Sequence, residues 1–240
     1  MKNSIEHLIS EEDLDRGRII VIDKPYEWTS FDVVNKVRSL LRRKFDRRKL
    51  KVGHAGTLDP LATGVLVIGI GPATKELHRL QSDVKEYEGT IMLGANTPSY
   101  DRETEPDEFF SYAHITEEDV KKAMKWFVGR YDQYPPAYSA IKRGGKKMYE
   151  LVREDKKVKP EARKVTIFRF DPLEIDIPMI KFFTRVSKGT YVRSLAYDLG
   201  KKLGTGGYLY DLRRTKSGKY SIEDAVKLDE WIRINEIPTD

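Results

Sequence analysis

Asp59 is the residue of this sequence best placed to do chemistry. It lies in the run Gly53-His54-Ala55-Gly56-Thr57-Leu58-Asp59-Pro60-Leu61-Ala62-Thr63-Gly64, one carboxylate set among glycines with a histidine upstream. Glycines adopt backbone conformations that a side chain would forbid, and they let another molecule come close to the main chain. Pro60 fixes the backbone after the acid and biases Asp59 toward an extended conformation. The following run, Val65-Leu66-Val67-Ile68-Gly69-Ile70, is apolar and rich in branched residues, which predicts a buried strand. Asp59 is therefore expected on a loop that leads into the core. Read alone, the same residues fit turn formation at Asp-Pro and a hydrogen-bonded loop histidine at position 54.

The elements around this loop follow from periodicity and capping. Residues 18–23 read as a strand. Thr29 and Asp32 form a capping box that opens a helix with an apolar stripe of Val33, Val34, Val37, Leu40 and Leu41, which ends in Arg42-Arg43-Lys44. A short helix is expected from Pro72 and a strand from Val84 to Leu93. A helix capped by Thr116 and Asp119 should end at Gly129, followed by strands at 164–170 and 180–187. From Tyr191 a helix carries Val192, Leu195, Ala196, Leu199 and Leu203 on one face and ends at Gly204. Tyr208 to Arg213 reads as a strand, and Ser221 with Asp224 as the start of a last helix toward Trp231. Without strict strand–helix alternation, the class is α+β. The expected organisation is a weakly patterned, loosely docked arm at 1–17 and one domain over 18–240. Residues 135–164 form a cation-rich insertion with little apolar periodicity.

Charge and composition narrow the partners. The formal charge is +6 and the isoelectric point near 9.2. Residues 38–51 hold eight Lys or Arg against Asp46 alone, and residues 142–164 hold ten against four acids. Residues 101–119 hold eight acids and one Arg. This segregation fits a basic surface facing a phosphate backbone and an acidic one facing solvent; solvated helix ends and charged loops would also account for it. The sequence has no cysteine, which excludes disulfides and thiol catalysis, and the histidines at 7, 54, 78 and 114 lack ligand spacing, so no metal site is expected. No apolar run is long enough to span a membrane and no signal peptide is evident, so the default expectation is a cytoplasmic protein.

The Asp59 run resembles the active-site motif of the TruB family of tRNA pseudouridine synthases. Asp23-Lys24-Pro25 with Thr29-Ser30 resembles the family's lysine-proline motif, and Lys85-Glu86-Tyr87-Glu88-Gly89 the segment with its active-site tyrosine. Leu93-Gly94 to Asp101 resembles the next loop, and Gln133 to Lys142 (QYPPAYSAIK) a distinctive signature. Ser187 to Leu195 (SKGTYVRSL) is similar to the segment with the active-site arginine, and Leu212-Arg213-Arg214 to the closing motif. The resemblance covers residues 18–218. It departs at Ala55, where members often have threonine, and in having 26 residues after Arg214, too few for the additional C-terminal RNA-binding domain of many members.

The resemblance implies a pseudouridine synthase fold with a large mixed, mostly antiparallel sheet flanked by helices and loops. It implies an isomerase that converts uridine-55 in the T loop of tRNA to pseudouridine by base flipping, as a monomer and without a cofactor. Residues 135–164 would be a thumb that closes on RNA. Asp59 would be the nucleophile, Arg193 its charge partner, and Tyr87 the residue that stacks on uracil and takes part in proton removal. His54 is implied as a substrate contact that stacks on neighbouring bases. Lys24, Asp101, Tyr191 and Leu212 are further substrate-binding candidates, with Lys24 and Pro25 also buttressing the catalytic loop. Two other classes remain open at this level: a glycosylase that releases free uracil, and a tRNA-binding protein without catalysis.

Overall fold

The computed structural model describes residues 7–81, 83–138, 142–143, 146–147 and 161–236. The chain divides into two compact units, residues 1–86 with 213–240 and residues 87–212, where the sequence pointed to one domain. Its strands build the large mixed sheet flanked by helices that was expected.

In the first unit β1 (Arg18–Lys24) lies between β3 (Ala62–Ile70), antiparallel, and β14 (Val226–Lys227), parallel. The register pairs Arg18 with Ile70 and Lys24 with Gly64, so Lys24 sits where β3 emerges from the Asp59 loop. The short β2 (Val52–His54) pairs with the far end of β3. Alternation along the strands sends Ile20, Ile22, Leu66, Ile68 and Ile70 into one core and Val21, Val65 and Val67 into another. Burial on both faces explains why β3 reads as an uninterrupted apolar run. Helix α2 (Ser30–Lys44) starts at the Thr29–Asp32 capping box and buries its valine and leucine stripe in the first core, beside Trp231 of the C-terminal helix.

The expected loose arm is corrected from residue 9 onward. Ser10 and Asp13 form a capping box on α1 (Glu11–Arg16). Ile9 and Leu14, at 1% and 4% exposure, belong to the same core as α2, and the Ile9 amide donates to Asn235 Oδ1. The chain end is docked because two apolar side chains in a polar stretch find a core that only the folded sheet provides.

In the second unit β10 (Arg163–Asp176) and β11 (Met179–Val186) form a long hairpin, and β7 (Gly129–Gln133) pairs with β10. Phe127, Phe170 and Phe182 stack edge to face in its core. Strand β10 runs past the expected end because Pro172 is absorbed by a shift of register between Pro172 and Glu174. Helix α4 (Glu117–Trp126) has the expected Thr116–Asp119 box but stops before Gly129, which starts β7 instead. The helix over Val192–Leu203, here α5, is capped by Tyr191 and closed by left-handed Gly204 as expected. Back in the first unit, the Ser221–Asp224 box opens only a short 3-10 turn, and the last helix, α6, begins separately at Leu228. Of the thumb expected at 135–164, residues 139–141, 144–145 and 148–160 lie outside the described residues. Lys142–Arg143 pairs with Lys146–Lys147 as a short hairpin. No described helix is long and apolar enough to cross a membrane.

Replacing Ile9 or Leu14 by alanine is expected to lower stability by about 2–4 kcal/mol each in urea unfolding, as for core deletions; an undocked arm would give changes within about 0.5 kcal/mol.

Candidate active site

Asp59 is half-buried on the loop between β2 and β3, and both of its neighbours have their main chain held by side chains. Ser30 Oγ, at the first position of α2, accepts from the Leu58 amide at 2.8 Å and donates to the Leu58 carbonyl at 3.0 Å. The Pro60 carbonyl accepts from Lys24 Nζ at 3.1 Å and from the Glu27 amide at 3.0 Å. The Asp59 carbonyl accepts from the Ala62 amide. An irregular loop cannot satisfy buried backbone groups through a ladder, so side chains take that role.

Lys24 is fully buried, and its ammonium also donates to the carbonyls of Pro25 and Trp28. Three protons thus meet three carbonyls from the 25–28 turn and the Asp59 loop. Burial pushes this ammonium down to about 8, aided by the charge of Arg214 and opposed by Asp59 and Asp32. At neutral pH it keeps its charge and its third proton. Lys24 was expected as a substrate contact and as a buttress; its contacts are those of a buttress.

Arg214, 1% exposed, braces the other side of the loop: Nε donates to the Val65 carbonyl at 2.7 Å and Nη2 to the Gly56 carbonyl at 3.1 Å. Gly64 has φ +101°, and a Cβ there would lie 2.2 Å from the Arg214 carbonyl oxygen, so glycine is required at this point of the motif. Arg213 holds Asp23 through two parallel hydrogen bonds, at 3.1 and 2.7 Å. Burial, together with the Arg214 charge, holds the His54 imidazole below its ordinary range, against a hydrogen bond that the imidazole donates to the Gly56 backbone. His54 is therefore neutral at pH 7, a state suited to stacking.

The remaining candidates lie in the second unit or at its edge. Arg193, on α5 and 4% exposed, donates from Nη1 to the Ser99 carbonyl and from Nη2 to the Tyr138 carbonyl, both at 3.1 Å. Its Nε lies 3.6 Å from Asp101 Oδ2, while Asp101 Oδ1 accepts from the Glu103 amide at 3.0 Å. Asp101 was expected as a substrate contact; its carboxylate is buried beside the Arg193 guanidinium. The Tyr191 main chain is held as Leu58 is, with Gln133 Oε1 accepting from its amide at 2.7 Å and Gln133 Nε2 donating to its carbonyl at 3.0 Å. Tyr87 is buried on β4 (Lys85–Leu93), and Leu212 is buried on β12 (Gly207–Ser217). A Cβ on Gly89 would lie 2.5 Å from the Asp211 carbonyl oxygen and 3.2 Å from Leu212 Cδ1, so glycine lets these segments approach.

Comparison with known proteins places this arrangement. The family model described as TruB family pseudouridylate synthase, N-terminal domain, matches residues 42–192. A tRNA pseudouridylate synthase B C-terminal domain model matches residues 193–235. The chain belongs to the TruB family. Over 221 residues it is 47% identical to the tRNA pseudouridine synthase B of Flavobacterium johnsoniae, covering 92% of this chain and 96% of that one. The protein of the same name from Phocaeicola vulgatus is 46% identical over 224 residues, 92% and 95% of the two chains. Among solved structures, a chain of a Cbf5–Nop10–Gar1 complex aligns with a TM-score of 0.69 and 28% identity over 94% of this chain and 60% of its own. A chain of an H/ACA ribonucleoprotein bound to a substrate RNA containing 2′-deoxyuridine aligns at 0.66 and 25%, over 93% and 54%. The chain thus spans little more than half the length of those two solved chains.

Within the TruB motifs, the supports are what sequence reading missed. Ser30 and Gln133 stood inside motifs without roles, and Ser99 and Arg214 had no predicted contact. Their signal was a polar residue at a fixed place in a motif, which does not say which carbonyl it will meet.

Lys24→Met should destabilise the fold by several kcal/mol, because three carbonyls lose their donor at about 1–3 kcal/mol each. With Lys24 held at about 8 in the fold and 10.5 as its ordinary value, the unfolded chain binds more protons between these values. The stability of the wild type relative to Lys24→Met should therefore rise as pH increases from about 8 to about 10.5, by up to about 3 kcal/mol. Urea unfolding of both proteins across that range checks it, and a difference that stays flat would refute the assignment.

Proposed function

We propose that this protein isomerises uridine-55 in the T loop of tRNA to pseudouridine, with Asp59 as the nucleophile. The observation that carries the reading is a half-buried carboxylate on a loop whose neighbouring residues are pinned by Ser30 and Lys24, in a TruB chain. The relatives' name, tRNA pseudouridine synthase B, supports tRNA as the substrate.

The reaction breaks the bond between uracil N1 and ribose C1′, turns the base, and joins C5 to C1′. The C5 proton leaves and N1 gains one, so no atom is lost and nothing is oxidised. Asp59 acts at the sugar, by attack on C1′ or by removal of a ribose proton. A rigid loop serves either route, since a carboxylate aimed before the substrate arrives avoids reorganisation at the moment of reaction. Tyr87 stacks on the detached uracil and takes part in removing the C5 proton; aromatic stacking of a base is worth about 1–3 kcal/mol. Arg193, its guanidinium held by the Ser99 and Tyr138 carbonyls, is the arginine of the site. The uridine must leave its stack to expose the glycosidic bond, at a cost of a few kcal/mol. His54, neutral at pH 7, offsets part of that cost by stacking on the bases left behind, with Tyr191 and Leu212 as pocket walls. Single-stranded loops are where proteins read RNA bases, which suits the T loop as a target.

Purified protein incubated with an unmodified elongator tRNA transcript should form pseudouridine at position 55, mapped by mass spectrometry. Asp59→Asn should lower the rate on the order of 10⁴-fold or more while tRNA binding survives. Modification by Asp59→Asn at the wild-type rate would overturn the nucleophile, free uracil would point to a glycosylase, and bound but unmodified tRNA to a binder or another target uridine.

A further inference from the structure

A cavity of about 550 Å³ opens at the C-terminal half of α2, away from the Ser30 end that holds the Asp59 loop. Arg38, Arg42, Arg43, Arg47 and Arg48 line it with Asp46 as the sole acid, and its other walls are Asn35 and Ser39. We infer that this cavity binds phosphodiester groups of the RNA substrate, an inference that rests on tRNA being that substrate.

The cavity is built by the way α2 ends. Asp46 takes the left-handed conformation, φ +46°, and the Arg47 amide returns to the Arg42 carbonyl at 3.0 Å, a closure that folds the chain back over the last turn. Arg42 Nε donates to the Arg47 carbonyl at 3.2 Å, so the two arginines are tied twice. Arg38 is held by Asn35 Oδ1 at 2.8 Å and the Val52 carbonyl at 2.9 Å, and Arg47 Nη2 by Glu11 and Asp15 of α1 at 3.1 and 3.0 Å. Arg43 and Arg48 are exposed and make no ion pair among the described residues.

Compensation of the helix dipole would account for cations in the last turn. It does not account for Arg48, which lies beyond the helix end and makes no ion pair among the described residues. Arg38 and Arg47, though held by Asn35, the Val52 carbonyl, Glu11 and Asp15, line the same space. A guanidinium presents a planar fork of donors that matches phosphate oxygens, and several along one wall suit a chain of phosphates better than one ion. All eight lining residues carry polar side chains, five of them guanidinium groups, which favours an anionic ligand over an apolar one.

The test compares the wild type with Arg43→Gln/Arg48→Gln and with a control, Lys121→Gln/Lys122→Gln, which removes equal charge from exposed positions on α4. Filter binding of an unmodified tRNA transcript over a salt series, with kcat and KM for pseudouridine formation and thermal melting, gives the readouts. The arginine variant should raise Kd and KM about tenfold at 0.1 M salt, flatten the salt slope by about 1–2, and leave kcat within about twofold and the melting temperature unchanged. The control should behave as the wild type. Equal Kd and salt slope for the wild type and the arginine variant would overturn the cavity whether or not pseudouridine forms. A wild type that binds tRNA but forms none would instead overturn the proposed function. Inorganic phosphate that raises the melting temperature of the wild type and not of the arginine variant, together with equal tRNA Kd for the two proteins, would assign the cavity to a free phosphate and overturn the RNA assignment.

Discussion

The buried ammonium of Lys24 is the contact on which the geometry around Asp59 depends. A loop that must present a carboxylate at fixed aim cannot pair its own backbone in a ladder, and buried carbonyls without donors are costly. Lys24 supplies three protons to three carbonyls from two turns, and so ties the loop after the acid to the chain leaving β1. Ser30 does the same for the residue before it. The energy spent in burying a cation is returned as position.

The second unit repeats the device with different chemistry. Gln133 satisfies both backbone groups of Tyr191 with one amide, and Ser194 donates to the Tyr134 carbonyl at 2.7 Å. Segments 133–134 and 191–194 are thereby locked at the start of α5, the helix that carries Arg193. The guanidinium of Arg193 is planar and always charged, and its two hydrogen bonds to the Ser99 and Tyr138 carbonyls set its direction.

Helix α2 joins two tasks. Its first residue pins Leu58, its apolar stripe anchors it to the sheet, and its left-handed exit gathers the arginine cavity. The docked N-terminal segment takes part as well, since α1 contributes Leu14 to the core and Glu11 and Asp15 to Arg47. A rigid rod between the two ends keeps their separation fixed.

Signals carried within a few residues were legible in the sequence. The capping boxes at Thr29 and Thr116, the valine and leucine stripe of α2, the apolar run of β3 and the helix from Tyr191 to Gly204 all follow from local spacing, and the Asp59 loop fell where its glycines and proline pointed. Local signals failed where a neighbour distant in sequence overrode them. Pro172 sits inside a strand because β11 accommodates a register shift, Gly129 begins a strand because β10 pairs with it, and the Ser221 box yields a single turn before β14 pairs with β1. Ile9 and Leu14 are buried because the sheet and α2 offer them a surface. Lys24 was expected as a buttress, but which carbonyls it meets, and the contacts of Ser30, Gln133 and Asp101, were decided by tertiary structure alone. The sequence by itself determined which residues could donate, accept or carry charge; which partner each one meets depends on strand register and helix docking, which bring residues such as Lys24 and Pro60 together across long stretches of chain.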